Sequence, residues 1–91
     1  MNKLFKLIFV FYVMLNTVNI SLSNEKNKKK GVKLFENKSY EDARFMFERS
    51  IVFNPKDSSS YLYLAKIYNQ KEDKKKEEKN LETTLLIEPN N

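Results

Sequence analysis

The chain has 91 residues, 41% hydrophobic and 32% charged, with one Gly, two Pro and a formal net charge of +5. That bounds it to one small, helix-rich domain. Lacking Cys and His, it has no disulfide, no thiolate metal site and no imidazole to act as general base.

Met1 to Lys6 is short and basic, and Leu7 to Leu15 is apolar throughout. Asn16, Thr17 and Asn19 then dilute the hydrophobicity, and Ser21-Leu22-Ser23 is a small-x-small ending. This is the order of a secretory signal peptide cut after Ser23. The competing reading is an uncleaved membrane anchor through residues 7–23; the uncharged run from Leu7 to Asn24 is 18 residues, near the lower limit of about 17–25 for a spanning helix, and is burdened by Asn16, Asn19 and Asn24. Lys26, Lys28, Lys29 and Lys30 just beyond it suit an anchor, because lysines beside a span fix its orientation. A buried core helix would have to account for a run apolar on every face. Residues 1–23 are therefore expected to be a signal peptide or membrane anchor. Residues 24–91 are expected to be exported (periplasmic or secreted), or membrane-anchored on the second reading.

Asn24 to Lys30 reads as a solvated first turn in preference to a basic tether for anionic lipid or nucleic acid, since no aromatic or Arg is interleaved for base stacking. Gly31 to Glu36 carries Val32, Leu34 and Phe35, enough for one short helical face, and Asn37-Lys38 forms a turn. Ser39-Tyr40-Glu41-Asp42 has the shape of a capping box. From Tyr40 to Pro55 runs an amphipathic helix whose stripe is Tyr40, Ala43, Phe47, Ser50 and Ile51, with Arg44 and Glu48 paired four apart on the exposed side. Ala43 and Phe47 are expected to matter most for stability. Pro55 pushes Asn54 out of helical geometry. Asp57-Ser58-Ser59-Ser60 supplies a new cap, and Tyr61, Leu64, Ala65 and Tyr68 form the stripe of a third helix. Asn69 to Asp73 is the next turn. The fourth helix, Lys74 to Ile87, has a charged first half and an apolar face of Leu81, Leu85 and Ile87.

Ser50-Ile51-Val52-Phe53-Asn54-Pro55 returns 34 positions later as Thr84-Leu85-Leu86-Ile87-Glu88-Pro89. In the same register Gly31 matches Ala65, Leu34 matches Tyr68 and Phe47 matches Leu81. A fixed period of this size marks a stacked helical repeat. The pattern Gly31, Tyr40, Ala43, Phe47, Ser50, Pro55, then Tyr61, Leu64, Ala65, Tyr68, Leu81, Thr84, Pro89, resembles the tetratricopeptide repeat. It departs from that family at Asn27 and Lys30, where a bulky aromatic and a Leu belong, and at Lys74 and Glu77. The resemblance implies an all-α superhelix of two antiparallel helix-turn-helix repeats, about 24–57 and 58–91. It also implies a protein-protein interaction module (an adaptor or scaffold) whose groove receives a protein or peptide partner. By position that groove is lined by Lys28, Lys29, Val32, Phe35 and Glu36, then Leu62, Tyr63, Lys66, Asn69 and Gln70. The subclass that clamps a terminal carboxylate is not matched, because Val32 and Tyr63 replace the required Asn residues.

No catalytic residue, cofactor site or metal site is expected. A lone Gly cannot form a glycine-rich phosphate loop. Glu41-Asp42 and Glu77-Glu78 are neighbours whose side chains diverge by about 100° on a helix. The segment Lys71 to Lys79 alternates in sign and reads as solvated. Asn37-Lys38-Ser39 fits the glycosylation triplet, which would compete with Ser39 as a cap. Repeat stacks generally need about three units, so the edge after Pro89, with Leu86 and its apolar neighbours, is expected to be shielded by self-association or by a partner. The alternative function is a membrane-tethered basic protein that binds anionic lipid or nucleic acid.

Overall fold

Neither Gly nor Pro occurs before Gly31, so nothing in the first thirty positions stops a helix once it has started. In the structure, a computed structural model that describes residues 3–89 and their side chains except at 4–5 and 11–23, the first helix accordingly runs unbroken. Helix α1 spans Lys3–Glu36, 34 residues, or about 51 Å at the helical rise. The expected short face at Gly31–Glu36 is thus the last two turns of a much longer helix. The backbone shows no interruption between residues 23 and 24. Asn and Ser disfavour helix by only about 0.7 kcal/mol or less each, too little to break it. The side chains of Lys3, Lys6 and Leu7 to Val10 are exposed, and the first buried side chain among those described is Asn24. The side chains of 11–23, on which the signal-or-anchor choice turns, and Asn90-Asn91 lie outside the described residues. Among the described residues no helix is long and apolar enough to cross a membrane.

Three more helices follow: α2 (Tyr40–Phe53), α3 (Ser58–Gln70) and α4 (Lys74–Ile87). The described chain is all-α. Its 34-residue period is visible in the backbone: α1 and α3 end at Glu36 and Gln70, and both ends of α2 recur in α4. The turns repeat as well. Lys38 and Glu72 adopt left-handed φ values of 64° and 59°, the conformation that reverses a chain just past a helix. The N–H of Ser39 donates to the Leu34 carbonyl at 2.8 Å, and that of Asp73 to the Tyr68 carbonyl at 2.9 Å.

The capping box expected at Ser39 is not formed, because the Ser39 side chain makes no cap hydrogen bond. The bond is made at its counterpart, Asp73, which accepts from the Lys76 N–H at 3.2 Å and so begins α4 rather than belonging to the turn alone. A carboxylate reaches farther than a hydroxyl and is favoured by the helix dipole, but Asp57 at the start of α3 makes no cap bond to a backbone N–H, its carboxylate accepting from the Ser59 and Ser60 hydroxyls instead. Asn54 leaves α2 in an extended conformation (φ −141°), as the following Pro55 requires.

Helix α1 packs on α2, α3 on α4, and α2 joins the two hairpins through α3. The buried centre is Ala43, Phe47, Leu64 and Ile67, surrounded by Val32, Leu34, Phe35, Tyr40, Ile51, Tyr63 and Tyr68. A run of rings crosses it. Phe47 stacks on Tyr63 at 4.8 Å, Tyr63 meets Phe35 edge-on at 5.4 Å, and Phe35 meets Tyr40 at 5.5 Å. Gly31 makes room for the first of these rings: a Cβ there would stand 3.0 Å from Phe47 Cζ. Phe47 is fully buried and stacked, so it cannot yield. Gly31→Ala is expected to lower stability despite a helix-propensity gain of about 1 kcal/mol, since overpacking costs about 1–3 kcal/mol. A urea titration showing a higher midpoint for the variant would contradict this packing.

Candidate functional site

The depressions on the described surface include three formed by these helices. The first, about 380 Å³, lies along α1 and is lined by Glu25, Lys28, Lys29, Val32, Lys33 and Glu36. The second, about 260 Å³, lies between α3 and α4 and is lined by Phe35, Ala65, Lys66, Asn69, Gln70, Glu77 and Leu81, the last shared with the third. The third, about 380 Å³, is lined by Leu62, Leu81, Thr84 and Leu85.

The ten residues that sequence places in a groove fall unevenly among them. Lys28, Lys29, Val32 and Glu36 line the first depression, and Phe35, Lys66, Asn69 and Gln70 the second. Val32 and Phe35 are three apart on α1 and share a face, so these two depressions adjoin along the helix. Leu62 belongs to the third depression instead. Tyr63 lines none of the three: its ring is packed between Phe35 and Phe47, and Lys66 Nζ lies 5.0 Å over it. Of the two aromatics that sequence places in the groove, Phe35 lines the second depression and Tyr63 packs chiefly in the core. Lys66 nevertheless carries that ring's influence outward, a cation held over a π face.

The second depression is the smallest of the three. Asn69 Nδ2 donates to Glu77 Oε2 at 3.0 Å, joining α3 to α4 across it. Glu77, which stands where the tetratricopeptide pattern has a small residue, is thereby a half-buried wall of the depression. Facing groups there are one ammonium, one carboxylate and two amides over an aromatic floor. Such a surface can hydrogen-bond a peptide backbone and seat one apolar side chain. The first depression is basic at its rim, with Lys29 and Lys33 exposed to solvent.

A buried polar cluster beside the first depression was not apparent from sequence. Asp57, 7% exposed at its side chain, accepts from Lys28 Nζ at 3.3 Å, Ser59 Oγ at 2.7 Å and Ser60 Oγ at 2.9 Å. The Ser50 hydroxyl lies 3.4 Å from the same carboxylate and 2.5 Å from Asn24 Oδ1, its single proton serving one or the other. Three donors, the Lys28 ammonium and the Ser59 and Ser60 hydroxyls, hold the carboxylate, while the Ser50 hydroxyl lies nearer Asn24. The cluster ties α1, the end of α2 and the start of α3 together. Burial alone would push the Asp57 carboxyl up; the Ser59 and Ser60 hydroxyls and the Lys28 ammonium together hold it below its ordinary value. Each member is an ordinary surface residue type, and only the fold brings them together.

On the opposite side Arg44 pairs with Glu48 at 2.9 Å, as the spacing implies, and also with Glu41 at 3.0 Å. Lys71 reaches Glu41 from the second hairpin. The two links to Glu41 are exposed and of little energetic weight, while the Arg44–Glu48 pair is partly buried. Comparison of the chain with known protein families, curated proteins and solved structures finds no match.

Proposed function

We propose that the chain is an exported protein-protein interaction module, a tetratricopeptide-like superhelix of two repeats that binds a peptide segment and catalyses nothing. The observation that carries this reading is the recurrence of helix ends, turn conformations and turn hydrogen bonds at a spacing of 34 residues. Repetition of that kind supports an extended concave surface. The ligand would lie along Lys29, Val32, Lys66 and Asn69, with an apolar side chain over Phe35 and an acidic flank toward the lysines. The test is a pull-down from the source envelope with the chain and its Lys29→Glu/Asn69→Ala variant, both sites being exposed. The expected result is a protein retained by the parent and lost by the variant at unchanged melting temperature. Equal retention by both would overturn this placement.

A second reading rests on Lys26, Lys29, Lys30 and Lys33, all exposed and spaced as one face of α1 directly after the apolar segment. It makes the chain a membrane-tethered basic protein that meets anionic lipid or nucleic acid, each lysine contributing about 1 kcal/mol near a charged surface. Binding to phosphatidylserine vesicles that collapses between about 50 and 200 mM salt would favour it.

A further inference from the structure

Because the backbone repeats, each surface of the first hairpin can be compared with its counterpart in the second. Helix α3 covers the far side of α2: Tyr63 stacks on Phe47, Leu64 and Ile67 join Phe47 and Ala43, and Asp57 closes over Ser50. Displaced by one repeat, Phe47, Ser50 and Ile51 become Leu81, Thr84 and Leu85, which with Leu62 line the third depression. Phe47 is 0% exposed where Leu81 is 38%, and Ile51 is half-buried where Leu85 is 52% exposed. Among the described residues nothing covers this seat. Leu86, expected to belong to the open edge, lies outside it. Its counterpart Val52 is 78% exposed even with α3 in place, and Leu86 is 82% exposed, so this position faces solvent in both hairpins.

The other end of the stack is built differently. The residues by which α3 covers α2 are Ser60, Tyr63, Leu64 and Ile67; one repeat earlier, α1 has Lys26, Lys29, Lys30 and Lys33, all exposed. A second copy added head to tail, as α3 follows α2, would press this lysine stripe onto Leu81 and Leu85. Burying ammonium groups without partners is prohibitive. Repeated addition, which would build a filament, is therefore blocked at one end.

We propose that the seat is closed by the same seat of a second copy, the Leu62, Leu81 and Leu85 surfaces meeting across a two-fold axis. The self-complementary arrangement is the one in which apolar surface meets apolar surface and both lysine stripes stay in water. The patch spans two helices, each about 20 Å long and about 9 Å apart, less than the roughly 800 Å² per partner of a standard stable interface, so the dimer is reversible. This inference rests on the repeated backbone and not on peptide binding, and either can fail without the other.

The chain has no cysteine, so one substitution gives one cross-linking site. Leu85→Cys in the full chain, treated with a short bis-maleimide, is expected to give a covalent dimer far faster than Lys30→Cys. Leu85→Glu is expected to sediment as a monomer, with the parent's helical circular dichroism, at concentrations where the parent dimerises. Equal cross-linking by the two cysteine variants, or a parent that is monomeric throughout the micromolar range, overturns the proposal. So does a mixed dimer of Leu85→Cys with Lys30→Cys, which reports head-to-tail stacking. A mixed dimer of Leu85→Cys with Phe9→Cys overturns it too, by placing the apolar leader of a neighbour in the seat.

Discussion

Phe47→Ala is expected to unfold the bundle, or to lower its stability by about 3–5 kcal/mol. Phe47 is fully buried, its ring abuts Gly31 of α1, and it stacks on Tyr63 of α3. Three helices thus close on one side chain. The cavity cannot collapse easily, because Ala43 and Gly31 beside it are already small. Net stabilities of small domains are about 5–15 kcal/mol, and a chain this short belongs at the lower end. Chemical denaturation followed by circular dichroism reads the effect directly. A variant that melts with the parent would show that the core lies elsewhere. The conservative Phe47→Leu change, which keeps apolar volume but loses the stack, is expected to fall between the two.

Asp57→Ala is expected to cost about 3 kcal/mol, because it strands Lys28 and the Ser59 and Ser60 hydroxyls without their shared acceptor. The same group predicts an acid limb. The folded carboxyl titrates below its ordinary value, so its contribution is complete above the unfolded value of about 3.9 and is lost as the pH falls through the lower folded value. Melting temperature measured from neutral pH downward should therefore drop more steeply for the parent than for Asp57→Asn in that acid window, while Asp57→Asn is already less stable at neutral pH. Parallel profiles would mean that the cluster does not depend on the charge of Asp57.

The helices and their period were legible because their signals are local. Pro55 and Pro89 mark equivalent ends, and Ala43, Phe47 and Ser50 repeat a spacing that only a helix places on one face. The continuity of α1 was harder to read, since a change from apolar to polar side chains marks a change of surroundings and not an end of helix. Ser39 and Asp73 show the same limit at the scale of one bond: both residue types cap helices, but the one with the longer reach makes the hydrogen bond here. The Asn24, Ser50 and Asp57 cluster was illegible for a different reason. Its members are up to 33 positions apart, and each alone is a normal solvent-facing residue. Tyr63 and Leu86 were assigned from position along the helix. Which face an aromatic or leucine presents depends on what the neighbouring hairpin covers, and that is a property of the assembled stack.

The order in which the helices touch has a consequence for how the molecule comes apart. Among the four helices α4 packs chiefly against α3, while α2 is held from both sides. Opening can therefore start at α4 without disturbing the contact between α1 and α2, and need not involve the whole chain at once. In amide hydrogen exchange, from Asn24 onward, the N–H groups of α4 should lose protection first, those of α3 next, and those around Ala43 and Phe47 last.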